Sequence, residues 1–270
     1  FNKRTFYPIV SIQPKNHKLP MNINDFRFMR QGQHLAELLH QESSLIEAVN
    51  QQGKKKDRAL LILHGFSSTP AVYRYLIPQI KHYDALICPN LPGHGQSTLA
   101  FAQTKATDWL SMSKTLCAKL MNEYKKVDVL GLSLGGLLAC ELSKHFKLHH
   151  LYLLAPALKL EMNIGPMLKT AQLAHFLGFS QLRNGAGNLL NEHHSDISYR
   201  TLPLATIIEL LHLVQDFEWI APTCPVDLFL GKHDGVVASD KVEALFRPMT
   251  NAHIHWLNDS AHVLPLDNDL

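Results

Sequence analysis

The 270-residue chain is predicted to be an α/β protein, a mostly parallel sheet flanked by helices. Three observations predict this class. Short runs of almost continuous apolar residues recur from residue 58 onward, most of them end at Gly, Pro or Asp, and helix-like stretches separate them. Continuous apolar strands are expected where both faces of a sheet are covered. Strand and helix in alternation imply right-handed crossovers between parallel strands.

In chain order, residues 1–57 read as an N-terminal extension. Within it, "HLAELLHQESSLIEAVN" (34–50) lines Leu35, Leu38, Leu39, Leu45, Ile46 and Val49 along one helical stripe. The opposite face is not strongly basic, so a helix packed on the main body is expected rather than a membrane contact. The first strand is "ALLILHG" (59–65) and the second "DALICP" (84–89). "TKATDWLSMSKTLCAKLMNEY" (104–124) follows, with Trp109, Met112, Leu116 and Leu120 at helical steps. Strand "VDVLGL" (127–132), helix "GGLLACELSKHF" (135–146) and strand "HLYLLAP" (150–156) complete the first half.

Residues 157–222 break the alternation. They hold no convincing strand, but "MLKTAQLAHFLGF" (167–179) and "LPLATIIELLHLVQDFEWI" (202–220) are helix-like. A helical cap over the sheet is expected. Strand "VDLFLG" (226–231), helix "SDKVEALFRPM" (239–249) with a Ser/Asp cap, and strand "HIHWLND" (253–259) close the series. The division is therefore 1–57 extension, 58–156 with 223–270 core, and 157–222 cap.

Composition narrows the function. Apolar residues at 46% and charged residues at 18% are those of an ordinary soluble globular protein. A net charge of +3 is too small to argue for nucleic acid, and Lys54–Lys55–Lys56 with Arg58 reads as a solvated loop. Cys88, Cys117, Cys140 and Cys224 lie far apart, so buried free thiols are expected rather than disulfides or zinc. No apolar run reaches the roughly 18 residues that span a membrane. The chain opens on Phe1 with no signal-like segment, which reads as a start inside a longer protein, and a cytoplasmic location is slightly favoured.

The chemistry centres on "GLSLG", Gly131-x-Ser133-x-Gly135, where an apolar strand gives way to an apolar helix. That spacing builds a tight turn presenting the serine oxygen at its tip. A serine hydroxyl needs a base, and the base needs a third group to fix its tautomer. Hydrolases built on such a serine turn carry the acid and then the base after the serine in the chain, so strand ends downstream are the places to look. Asp234 stands just past strand 226–231, and His262 in the loop past strand 253–259. Asp227 starts a strand and Asp240 fits a helix cap, so both are weaker acids for the role. Acyl transfer also needs backbone N–H groups aimed at the developing oxyanion. Leu134 would supply one and Phe66, in "LILHGFSSTP" (61–70), the other. His64 lies upstream of the serine and is read as a brace for that loop.

Together, His64-Gly65-Phe66, "LPGHGQS" (91–97), "GLSLGG" (131–136), "GKHDGVV" (231–237) and "SAHVLPLD" (260–267) resemble the α/β-hydrolase superfamily. Within it the chain looks most like small-cap bacterial carboxylesterases, near relatives of monoacylglycerol lipases. The resemblance covers about residues 58–267. It implies Ser133 as nucleophile, His262 as base, Asp234 as orienting acid, and the Phe66 and Leu134 amides as oxyanion hole. The partner implied is a small-molecule ester with an apolar acyl group, with Ile164 and Leu168 of the cap against that group. No cofactor and no metal are expected; His193-His194 and His253-x-His255 lack carboxylates at ligand spacing. Such hydrolases usually close with one more helix than this chain has after His262. Serine aminopeptidase or thioesterase activity is the alternative within the fold, and a ligand-binding protein without turnover the alternative outside it. Dehalogenases and epoxide hydrolases need an aspartate where Ser133 stands.

Overall fold

A computed structural model describes residues 21–269. Its strands are β1 (Phe26–Arg30), β2 (Gln33–Glu37), β3 (Val49–Gln52), β4 (Arg58–Leu63), β5 (Ala85–Cys88), β6 (Lys126–Leu132), β7 (His150–Leu154), β8 (Gln181–Arg183), β9 (Asp196–Tyr199), β10 (Thr201–Pro203), β11 (Val226–Gly231) and β12 (Ala252–Leu257). Its α-helices are α1 (Thr98–Ala102), α2 (Ala106–Glu123), α3 (Leu134–Ser143), α4 (Ile164–Phe176), α5 (Leu204–Gln215) and α6 (Ser239–Phe246).

Seven strands form the main sheet, in the order β12-β11-β7-β6-β4-β5-β3. All neighbours run parallel except β3, which pairs antiparallel with β5 at the edge. The apolar strands are continuous because both faces are buried. On one face Leu61, Leu63, Val129, Leu151 and Leu228 share a core with Trp109 of α2, Leu137 and Leu138 of α3 and Phe246 of α6. On the other, Leu60, Ile62, Leu130 and Leu132 pack against Val72, Tyr73, Leu189 and Leu264. Each fully buried leucine contributes about 1.5–3 kcal/mol. The four cysteines are buried and unpaired. No helix among the described residues is long and apolar enough to cross a membrane.

The six strands expected from residue 58 onward and the helices between them form within a few residues of the expected bounds. Three expectations fail. Residues 34–50 are not an α-helix but β2, a 3-10 turn over His40–Ile46, and β3. The helical stripe splits accordingly: Leu38 and Ile46 are buried, whereas Leu35 and Leu39 are exposed. Backbone pairing of β2 with β1 and of β3 with β5 outweighs the local periodicity. Segment 157–222 likewise contains strands, β8, β9 and β10, beside α4 and α5. Strand β9 (DISY) is buried throughout and pairs with β1, giving a separate sheet β2-β1-β9. A four-residue strand leaves too short a period to read, and its partner lies more than 160 residues away. At α6 the N-cap is Ala238, not a Ser/Asp pair; the Ser239 hydroxyl donates instead to the Gly231 carbonyl at 3.2 Å.

Candidate active site

Ser133 sits between β6 and α3 with φ 53° and ψ −114°. A non-glycine residue in this region is strained, and such strain collects at functional turns. The neighbouring glycines make the turn possible by close approach. A Cβ on Gly131 would strike the Gly135 carbonyl, and one on Gly135 the Leu63 carbonyl. The turn is held by the Ser133 amide, which donates to Leu154 O at 3.0 Å, and by the Ser133 carbonyl, which accepts from Leu137 and Ala157. Ala155, at φ 41°, is a second strained residue beside it.

Asp234 and His262 meet. His262 Nδ1 lies 2.8 Å from Asp234 Oδ2, and the Asp234 carboxylate is fully enclosed. The second oxygen, Oδ1, accepts from the amides of Val236 and Val237, each at 2.8 Å. An ionised acceptor held this way makes Nδ1 the protonated nitrogen and leaves Nε2 to accept a proton. Val263, next to His262, belongs to the same buried cluster as Leu132 and Ala155 on either side of the serine turn. Ser133 and His262 are both at the edge of exposure, 8% and 9%. No hydrogen bond joins the Ser133 hydroxyl to His262; such bonds are often long in free enzymes and tighten with substrate.

The Phe66 loop lies against the serine: a Cβ on Gly65 would stand 3.4 Å from Ser133 Cβ. The Phe66 ring packs among Phe101, Trp109 and His94, with centroids 5.3, 6.0 and 6.1 Å away. Two buried histidines brace this region. His64 Nε2 accepts from the Leu91 amide while Nδ1 lies 2.9 Å from Gly65 O, so Nδ1 donates. His94 Nε2 accepts from the Ser67 amide and its Nδ1 faces Pro92 O. Burial pushes His64 down to about 4 and His94 well below the ordinary histidine value. Both rings are neutral at pH 7 and hold their loops as uncharged donor–acceptor bridges. Asp227, one of the weaker acid candidates, instead binds His150 and His255. Asp240 is exposed in the first turn of α6. Leu168 is buried on α4, which packs on α5; Ile164, at the start of α4, is half-buried against the main core.

Several residues that sequence reasoning passed over surround this centre, all from segment 157–222 or the last loop. Asn188 ties the Asp234 and His262 loops together. Its Oδ1 accepts from Gly235 N at 3.1 Å and His262 N at 3.2 Å, and its carbonyl accepts from His262 and Val263. Asp267 accepts from Ala261 N on one side and from Leu190 and Asn191 N on the other. Ser198 bonds Ser67, and the Tyr199 hydroxyl donates to Gly93 O and Gln96 O. Asp196 is buried with Oδ1 lacking a partner among the described residues. Burial pushes its carboxyl up to about 6, opposed by the charges of Arg74 and His262. No local pattern marks these residues, because each acts on a segment distant in sequence.

Comparison with known proteins agrees with this fold. A family model described as the alpha/beta hydrolase family matches residues 60–269. The chain is 25% identical over 216 residues to a thermostable monoacylglycerol lipase of Bacillus sp. (strain H-257), covering 78% of this chain and 84% of that protein. It is 20% identical over 226 residues to a carboxylesterase of Bacillus subtilis (strain 168), covering 80% and 89%. Among solved structures, one from work on the metagenome-derived lipolytic enzymes LipS and LipT superposes with a TM-score of 0.74 at 24% identity. That match covers 83% of this chain and 92% of the other, and at such identity it speaks for the fold.

Proposed function

Because the chain belongs to the alpha/beta hydrolase family, we propose that it is an ester hydrolase working through an acyl-enzyme on Ser133. The observation that carries this reading is the strained serine turn together with a His262–Asp234 pair joined at 2.8 Å. His262 Nε2 takes the hydroxyl proton as Ser133 Oγ attacks the ester carbonyl. The oxyanion is met by the amides of Leu134 and Phe66. His262 then returns the proton to the leaving alcohol, and water, activated by the same imidazole, releases the acid. Asp234 stabilises the imidazolium formed in each half.

The substrate has two unlike ends in this proposal. Segment 157–222 acts as a cap, and its apolar residues, Ile164 and Leu168 included, receive an apolar acyl chain. The buried Asp196 carboxyl, within electrostatic reach of His262 and with an oxygen free, suits the hydroxyls of the alcohol. A partial glyceride fits both ends. Relatives that are a monoacylglycerol lipase and a carboxylesterase support ester cleavage over peptide cleavage.

The test is a series of p-nitrophenyl esters of increasing chain length, run beside monoacylglycerols. A pre-steady-state burst of p-nitrophenol equal to the enzyme concentration is the expected result. No release from any ester, or equal release by Ser133→Ala, overturns the proposal. Asp196→Ala should depress monoacylglycerol hydrolysis far more than p-nitrophenyl ester hydrolysis; equal losses would remove Asp196 from alcohol recognition.

A further inference from the structure

The small sheet and the β8–β10 ribbon meet around a surface concavity of about 330 Å³ lined by His34, Arg183, Arg200 and Thr201, none of them a residue of the candidate active site. His34 belongs to β2, Arg183 to β8 opposite Thr201 of β10, and Arg200 links β9 to β10. Neither Arg183 nor Arg200 has a carboxylate partner among the described residues, whereas nearby Arg27 is satisfied by Glu37 at 3.0 Å. His34 Nε2 is enclosed and finds no hydrogen-bond partner among the described residues. Its imidazole is held below the ordinary value, by burial first and then by the charges of Arg183, Arg27 and Arg200.

Guanidiniums gathered without counter-charge repel one another, and an enclosed ring nitrogen without a partner is costly. One occupant relieves both. We propose that His34, Arg183 and Arg200 form a binding site for a phosphate-type oxyanion, separate from the ester site. A guanidinium presents two parallel N–H groups to such an anion, and a neutral imidazole donates through Nε2–H. The Thr201 hydroxyl is already spent on Gln181 at 2.8 Å, so it shapes the wall rather than binding. Around Arg183 the chain carries no acidic residue from 162 to 191. Residues 1–20 carry Lys3, Arg4, Lys15 and Lys18 and likewise no carboxylate, so that segment adds charge of the wrong sign. The anion is either free phosphate or the phosphate of a lipid headgroup, since the exposed Phe179 and Leu182 lie just before Arg183.

The experiment compares the full chain with the Arg183→Gln/Arg200→Gln double variant, both exposed positions whose loss leaves ester turnover unchanged. Inorganic phosphate is titrated by calorimetry and thermal shift against sodium chloride of equal ionic strength. Vesicles of phosphatidylcholine, with and without phosphatidylglycerol, are tested by co-sedimentation. Binding of phosphate by wild type, weakened about tenfold or more in the double variant, supports a site for the free ion. Co-sedimentation with anionic vesicles alone, lost in the double variant, supports the headgroup as source. His34→Gln should weaken whichever binding is seen. If wild type and double variant behave alike in both arms, or sodium chloride reproduces the phosphate effect, the proposal is overturned.

Discussion

At φ 53° Ser133 holds a conformation whose strain the elbow glycines and the Leu154 and Ala157 hydrogen bonds sustain. Alanine has the same backbone limits as serine, so Ser133→Ala should change stability by less than about 1 kcal/mol. It should lower ester turnover by about 10⁴-fold or more; a variant keeping a measurable fraction of the wild-type rate would refute the nucleophile. Gly135→Ala is a different case. The added methyl drives into the Leu63 carbonyl, and a urea midpoint corresponding to a loss of about 3 kcal/mol is expected. Asp234→Asn keeps an acceptor for Val236 and Val237 but no longer favours the productive His262 tautomer, so turnover should fall about 10⁴-fold. Asp240→Asn, at an exposed first-turn position of α6, should leave turnover unchanged. Sensitivity at Asp240 with tolerance at Asp234 would reverse the assignment of the acid.

Between β8 and β9 the chain reaches back to both loops that carry Asp234 and His262. Gly187 makes the approach possible: at φ 84°, its missing Cβ would otherwise stand 2.6 Å from Met29 O. Asn188 then holds Gly235 and His262 by one side-chain oxygen. Asn188→Ala should loosen the two loops relative to each other and lower kcat by about 10–100-fold with KM nearly unchanged. Asn188→Asp, which retains the acceptors, should recover part of that loss and shift the pH–rate profile by its added charge. Equal kcat in all three proteins would make Asn188 a purely structural contact. The start of segment 157–222 is sewn to the Asp234 loop, by Leu160 pairing with Val237 and the Glu161 amide donating to the Val236 carbonyl. Helix α4 is therefore the portion of the proposed cap with the most freedom to meet the acyl chain. Ile164→Trp should shift preference toward shorter p-nitrophenyl esters; an unchanged chain-length profile would place the acyl chain elsewhere.

For the molecule as a whole, buried neutral histidines set the response to acid. His64 titrates near 4 and His94 also well below the ordinary 6.5, so the unfolded chain binds protons that the folded chain refuses. Stability is then lost as pH falls from about 6.5 toward 4, by about 1.4 kcal/mol per pH unit for each histidine. Asp196, raised to about 6, acts in the opposite sense between its ordinary 3.8 and 6 and offsets one of the two. Glu141, lowered to about 2 beside Lys144, His145 and Lys114 despite partial burial, adds acid sensitivity only below its ordinary 4.5. Urea unfolding at pH 7 and pH 5 should show a net loss in wild type and a smaller one in His94→Gln. Equal losses in the two proteins would detach the acid response from His94.

The alternating apolar runs from residue 58 onward, the glycine-flanked Ser133, and Asp234 and His262 past successive strand ends were legible in the sequence by itself. Each rests on a short-range rule: strand period, turn sterics, or residue order along a parallel sheet. Residues 34–50 and 181–203 were not legible. Their strands are three to five residues long, and pairing with distant strands decides them rather than local periodicity. The same holds for the Asn188 bridge, the buried Asp196 and the charge-rich hollow at His34. A hydrogen bond across 74 residues, or a carboxyl stripped of water by a strand from the other end of the chain, leaves no mark in a sequence window. Only the tertiary structure decided them, because burial and long-range contact are properties of the folded chain.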